Sequence, residues 1–96
     1  MKAYVIFYVK AVSDLAALEE YRKIGGPTLQ KFGAVFRVRR GQFEVLEGDP
    51  VLGVVMLEFP SMEQARAWYR SEDYRAALKL RLAASSSQAV LCEGLP

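Results

Sequence analysis

Between Val54 and Tyr74 the sequence passes from an unbroken apolar run, Val54-Val55-Met56-Leu57, through Glu58-Phe59 and a Pro60-Ser61 turn, into a segment carrying the only tryptophan, Trp68. Apolar side chains at successive positions occupy both faces of a strand, so this strand has to be covered on both sides. Ser61 starts a helix, because its hydroxyl can satisfy a free amide of the first turn, and Ser61-Met62-Glu63-Gln64 has the spacing of a capping box. A second start follows at Ser71-Glu72-Asp73, where two acids complement the positive end of a helix. A chain built on this stretch needs a sheet with helices on one face and a further partner for the other.

The rest of the chain fits around that requirement. Residues 3 to 9 carry Tyr4, Val5, Ile6, Phe7, Tyr8 and Val9, again apolar on both faces, which predicts a central strand. Ser13 or Asp14 caps a helix with Leu15, Leu18, Tyr21 and Ile24 at helical spacing. Gly25-Gly26-Pro27 predicts a break or kink, since glycine costs about 1 kcal/mol and proline about 3 kcal/mol inside a helix. Leu29 and Phe32 continue the apolar face, and Gly33 suits a C-terminal cap.

Residues 34 to 39 predict a second strand, Arg40-Gly41 a bend, and residues 42 to 47 its continuation or a short partner. Gly48-Asp49-Pro50 is a turn, and the next strand runs from Val51 or Gly53 to Phe59. Beyond the two helices, Ala83 to Ser87 reads as a small, polar connection and Ala89 to Cys92 as the last strand. The order strand, helix, strand, strand, helix pair, strand predicts one α+β domain over residues 1 to 96. It is the ferredoxin-like βαββαβ arrangement, an antiparallel sheet with helices on one face. Both strands are apolar on both faces, Val5, Phe7 and Val9 against Tyr4, Ile6 and Tyr8 in one and Val54 and Met56 against Val55, Leu57 and Phe59 in the other, so a large apolar patch would then lie bare on a monomer. The expectation is a homodimer in which two such faces close a barrel-like core.

Composition narrows the chemistry. The chain has no histidine and no asparagine, which removes the usual imidazole metal ligands, Ser/His triads and histidine general bases. No metal site and no bound organic cofactor are expected. Net charge is only +2, with acids interspersed among the bases, so no nucleic-acid partner is expected. No apolar run approaches the roughly 18 residues of a membrane span, so no membrane partner is expected either. The N-terminal run reads as a strand and not as a signal peptide. The single Cys92 excludes an internal disulfide, and a reduced thiol points to the cytoplasm.

Several residues stand out as candidates for a site. Arg81 follows Leu78 and Ala77 on the apolar face of its helix, where a charge has to be paired or serve a ligand. Glu58 poses the same problem in its strand. Either the two form a structural pair, or Arg81 or Arg39 holds a carboxylate or enolate while Glu58 moves a proton. Trp68 and Tyr69 are core or interface anchors, or they wall a pocket with Tyr74 and Tyr21 opposite. Gly25 and Gly26 either leave space beside the sheet for a ligand or permit close packing. By alternation Arg37 and Arg39 share one face of their strand and Arg40 the other.

Arg39-Arg40-Gly41, Phe43 to Gly48, Leu57-Glu58-Phe59-Pro60-Ser61, Ala65-Arg66-Ala67-Trp68-Tyr69 with Ser71 and Tyr74, and Arg81 together resemble the family named domain of unknown function 1330. The resemblance covers nearly the whole chain and is most specific from Glu58 to Ser71. Arg40 departs from it, because the family more often has glycine there. The resemblance implies a dimeric α/β-barrel of ferredoxin-like fold. That superfamily also holds cofactor-free monooxygenases, muconolactone-type isomerases and haem-binding members, and for the family itself no established reaction is implied. Two functions are therefore expected to compete. One is a dimeric module binding a small organic acid or aromatic molecule between sheet and helices; the other is a cofactor-independent oxygenase or isomerase acting on an aromatic or polyketide-like substrate.

Overall fold

A computed structural model describes all residues, Met1–Pro96. The strands are β1 (Ala3–Val12), β2 (Val35–Arg39), β3 (Gly53–Phe59) and β4 (Ser85–Glu93). The helices are α1 (Leu15–Gly25), α2 (Met62–Arg70) and α3 (Glu72–Ala84), and two 3-10 turns, Gly26–Thr28 and Gln30–Phe32, follow α1. The sheet order is β2-β3-β1-β4 with every pairing antiparallel. This is the α+β ferredoxin-like arrangement, and the four-stranded sheet is open.

The caps explain where the helices begin. Asp14 accepts the amide of Ala17 at 3.0 Å and starts α1, while Ser13 donates to the carbonyl of Ala84 at 3.1 Å and ties that start to the end of α3. Ser61 accepts the amide of Gln64 at 3.1 Å. Ser71 ends α2 and begins α3, donating to the Trp68 carbonyl at 2.7 Å and accepting the Tyr74 amide at 3.2 Å. At Gly25-Gly26-Pro27 the chain keeps a right-handed course but tightens to 3-10 turns. Gly33 ends them with φ +71°, in the left-handed region that glycine adopts without steric cost.

The register fixes which side chains share a face. Val5 stands opposite Leu57 and Ala3 opposite Phe59, all buried under the helices. Val5, Leu57 and Phe59 pack with Leu29, Trp68, Tyr74 and Ala77 into one core. Each fully buried large apolar side chain contributes about 1.5–3 kcal/mol. On the other face Tyr4, Ile6 and Tyr8 face Glu58, Met56 and Val54 across the β1–β3 ladder, with no helix above them.

Two expectations about strands need correction. Residues 42 to 47 form no strand and are exposed throughout. The chain leaves the sheet at Arg40, whose φ of +53° turns it away just after its amide reaches the Val54 carbonyl at 3.3 Å. β4, in turn, begins at Ser85 directly after α3, not at Ala89. Ser85, Ser86 and Ser87 are poor strand formers, but the far end of β1 offers them a ladder at Val12, Ala11 and Val9, and pairing overrides local propensity.

Candidate functional site

A cavity of about 220 Å³ lies between the helical layer and the sheet. Its floor is Phe7, Val55 and Leu57, and Leu29 and Trp68 extend the apolar wall. Alternation along β1 and β3 aims these strand residues under the helices. α1 and α3 approach closely at Gly25, where an added Cβ would stand 3.4 Å from both the Cβ of Ala77 and the Tyr21 ring. An added Cβ at Gly26 would meet nothing within 4 Å, so that glycine leaves space, and it lines the cavity. Trp68 is fixed by an indole N–H bond to Thr28 Oγ1 at 2.9 Å, which fastens α2 to the 3-10 turn.

Arg81 projects from α3 into this cavity and is only 6% exposed. Its Nε donates to the Tyr74 hydroxyl at 3.4 Å, and its guanidinium lies 4.9 Å from the centre of the Phe7 ring. The Tyr21 and Tyr74 hydroxyls are 2.9 Å apart and their rings meet edge to face. No carboxylate reaches Arg81: the ion pairs are Lys2–Glu58, Lys31–Asp73 and Arg37–Glu58. Burial pulls the Arg81 pKa down, but the facing oxygens of Tyr74 and Tyr21 outweigh it and hold the value above the ordinary one. Burial, reinforced by Tyr74, pushes the Tyr21 hydroxyl far above the ordinary tyrosine range. The result is a permanent cation beside the neutral Tyr21 hydroxyl in an apolar chamber.

Of the residues singled out in the sequence, Tyr21, Arg39, Trp68 and Arg81 line the cavity. Tyr74 is wholly buried behind it, its ring centre 4.0 Å from that of Trp68. Tyr69 is 39% exposed and lines a separate groove with Val5, Ala65 and Leu91. Glu58 stands on the helix-free face, where it accepts bonds from Arg37 at 3.1 Å and Tyr4 at 3.2 Å. A Glu58–Arg81 pair is therefore absent, because the sheet separates the two side chains. Hydrogen bonding by Arg37 outweighs partial burial and holds the Glu58 carboxyl below its ordinary value.

The arginines of β2 also differ from the alternation reading. The β2–β3 register shifts between Phe36 and Val38, so Arg37 reaches Glu58 on the open face while Arg39 joins Phe36 at the cavity. Arg39 lies 4.4 Å over the Phe36 ring. Arg40 lines the cavity as well, and so does Arg22, which was not among the residues singled out in the sequence. Its position next to Tyr21, one step around the helix, was the available signal.

The sequence profile of a family described as a domain of unknown function (DUF1330) matches residues 2–95. No curated protein matches the sequence. Among solved structures, a protein of unknown function from Rhodopseudomonas palustris is 25% identical, with a TM-score of 0.78 over 99% of this chain and 83% of that one. A dimeric ferredoxin-like protein of unknown function from Jannaschia sp. CCS1 is 12% identical, with a TM-score of 0.78 over 98% of this chain and 100% of its own. SnoaB, a cofactor-independent oxygenase from Streptomyces nogalater, is 13% identical, with a TM-score of 0.69 over 99% of this chain and 94% of its own. At such identities the last two speak to the fold. The profile match over nearly the whole length, joined to the ferredoxin-like architecture, places this chain in the DUF1330 family.

Proposed function

We propose that the chain acts as a cytoplasmic homodimer that binds a small organic acid with a flat apolar body, its acidic group on Arg81. The observation that carries this reading is the buried Arg81 guanidinium, 6% exposed, which opens on a cavity and has no carboxylate within reach. A buried cation without a counter-ion is costly, and an anionic ligand would offset that cost. Phe7, Leu57 and Trp68 offer the apolar surface for the rest of the molecule. No carboxylate, imidazole or thiol lines the cavity, and these are the groups that most readily carry protons near neutral pH, which favours binding over a proton-transfer reaction. The likeness to SnoaB supports a shared fold and no shared chemistry.

The dimer reading rests on Ile6, Tyr8, Val54 and Met56, which form an apolar face without helices. The structural neighbour from Jannaschia sp. is dimeric. The unpaired thiol of Cys92 on the same sheet suits a reducing compartment. Calorimetric titration with benzoate and cinnamate tests the ligand reading: both should bind, and Arg81→Met should abolish the heat. Binding unaffected by that change would overturn it. Sedimentation at micromolar concentration tests the dimer, and a monomer there refutes it.

A further inference from the structure

Arg81 is not the only cation at the cavity. Arg22, Arg39 and Arg40 also line it, and its lining contains no Asp or Glu. None of the four arginines takes part in an ion pair. They differ in depth: Arg81 is buried, Arg22 is half-buried, and Arg39 and Arg40 are exposed. One cation therefore sits at the inner end and three gather at the mouth, with Leu29, Val55 and Leu57 among the apolar groups lining the same space.

The mouth is held in place. Arg39 is spread over the Phe36 ring at 4.4 Å, which restricts its rotamers and presents its planar fork. Arg40 keeps a left-handed backbone, φ +53°, that costs a residue other than glycine or asparagine about 1 kcal/mol or more. Strain of this kind concentrates at sites that use it. Burial, and after it the neighbouring charges of Arg40 and Arg39, lowers the pKa of Arg22 against the opposing pull of Glu19. These cations repel one another, and an anion among them would relieve the repulsion.

We propose that the ligand is a two-headed anion, a planar apolar molecule with an acidic group at each end, the inner one on Arg81 and the outer one among Arg22, Arg39 and Arg40. This rests on the reading that Arg81 receives an acid, and adds a second recognition point that selects diacids over monoacids. The outer group is a carboxylate or a phosphonate, both of which accept the arginine fork.

Matched probes test it by calorimetric titration of the full chain: benzoate against terephthalate and para-phosphonobenzoate, and cinnamate against para-carboxycinnamate. At least one diacid should bind about tenfold more tightly than its monoacid, as one added charge-assisted contact provides. The double substitution Arg39→Gln with Arg40→Gly, at exposed positions outside the core, should weaken that diacid about tenfold more than its monoacid and so remove the diacid's advantage. Arg81→Met should abolish binding of the monoacid and weaken that of the diacid. If monoacids bind through Arg81 and no diacid gains, or if the double substitution weakens both classes alike, the two-headed ligand is refuted while the organic-acid reading stands. If no acid in the series binds, both fall.

Discussion

Glu58 and Arg81 lie on opposite sides of the sheet. Glu58 points from β3 to the helix-free face, gripped by Arg37 at 3.1 Å, and Arg81 reaches from α3 into the chamber beneath α1. Each of the two awkward charges in the sequence therefore has its own solution. Glu58 is neutralised locally, and Arg81 is left with tyrosine hydroxyls and an aromatic face. That arrangement keeps the cation charged without a protein counter-ion, and it is the physical basis for a ligand.

Arg81→Met should change stability by less than about 1 kcal/mol in either direction, because relief of a buried charge without a carboxylate partner is set against loss of the Tyr74 bond and the Phe7 ring contact. Thermal or urea unfolding checks this. A loss beyond about 2 kcal/mol would mean that the cation has a partner in the native assembly.

The Glu58 carboxyl sits below its ordinary value of 4.5, with Arg37 the main cause. Its contribution is thus present above 4.5 and disappears as pH falls through the depressed native value. Glu58→Gln should lower the melting temperature at neutral pH, and its curve should converge on that of the unsubstituted protein in acid. Parallel curves down to the acid end would show that the Tyr4, Arg37 and Lys2 cluster adds nothing.

Tyr21 has the opposite sign. Its pKa is raised, by burial first and by Tyr74 next, so the stabilisation it gives is complete below the ordinary 10.0 and is lost as pH climbs beyond it. Tyr21→Phe removes the 2.9 Å bond to Tyr74 and should cost about 1 kcal/mol at neutral pH. It should also flatten the alkaline fall in stability, which urea unfolding on either side of 10.0 would reveal.

Two glycines should respond in opposite directions. Gly33 has φ +71° and an added Cβ would stand 2.9 Å from Pro60 Cγ, so Gly33→Ala should cost about 1–2 kcal/mol. Gly26 is right-handed, with φ −55° and ψ −51°, and has open space around it. Gly26→Ala should gain about 0.5 kcal/mol through the unfolded chain while narrowing the cavity. Unfolding curves of the two variants, beside titration of Gly26→Ala with benzoate, check both halves.

By itself the sequence determined the order of the elements, because caps and periodicities are local. Asp14, Ser61 and Ser71 each hold an amide three residues on, and the runs of β1 and β3 declare a sheet that is apolar on both faces. It also put Val54, Met56 and Glu58 on one face, since side chains alternate along any strand. Which face the helices would take is not a local property. It follows from how the connections cross the sheet, and it is what separated Glu58 from Arg81. The register shift at Arg37 and the serine start of β4 were likewise decided by neighbouring strands, through ladder bonds that no residue carries in its own sequence. The cavity is the furthest from the sequence. It exists because Gly25 lets α1 close on Ala77 while Gly26 leaves room beside it, and only the packed structure brings Arg22, Arg39, Arg40 and Arg81 around one space.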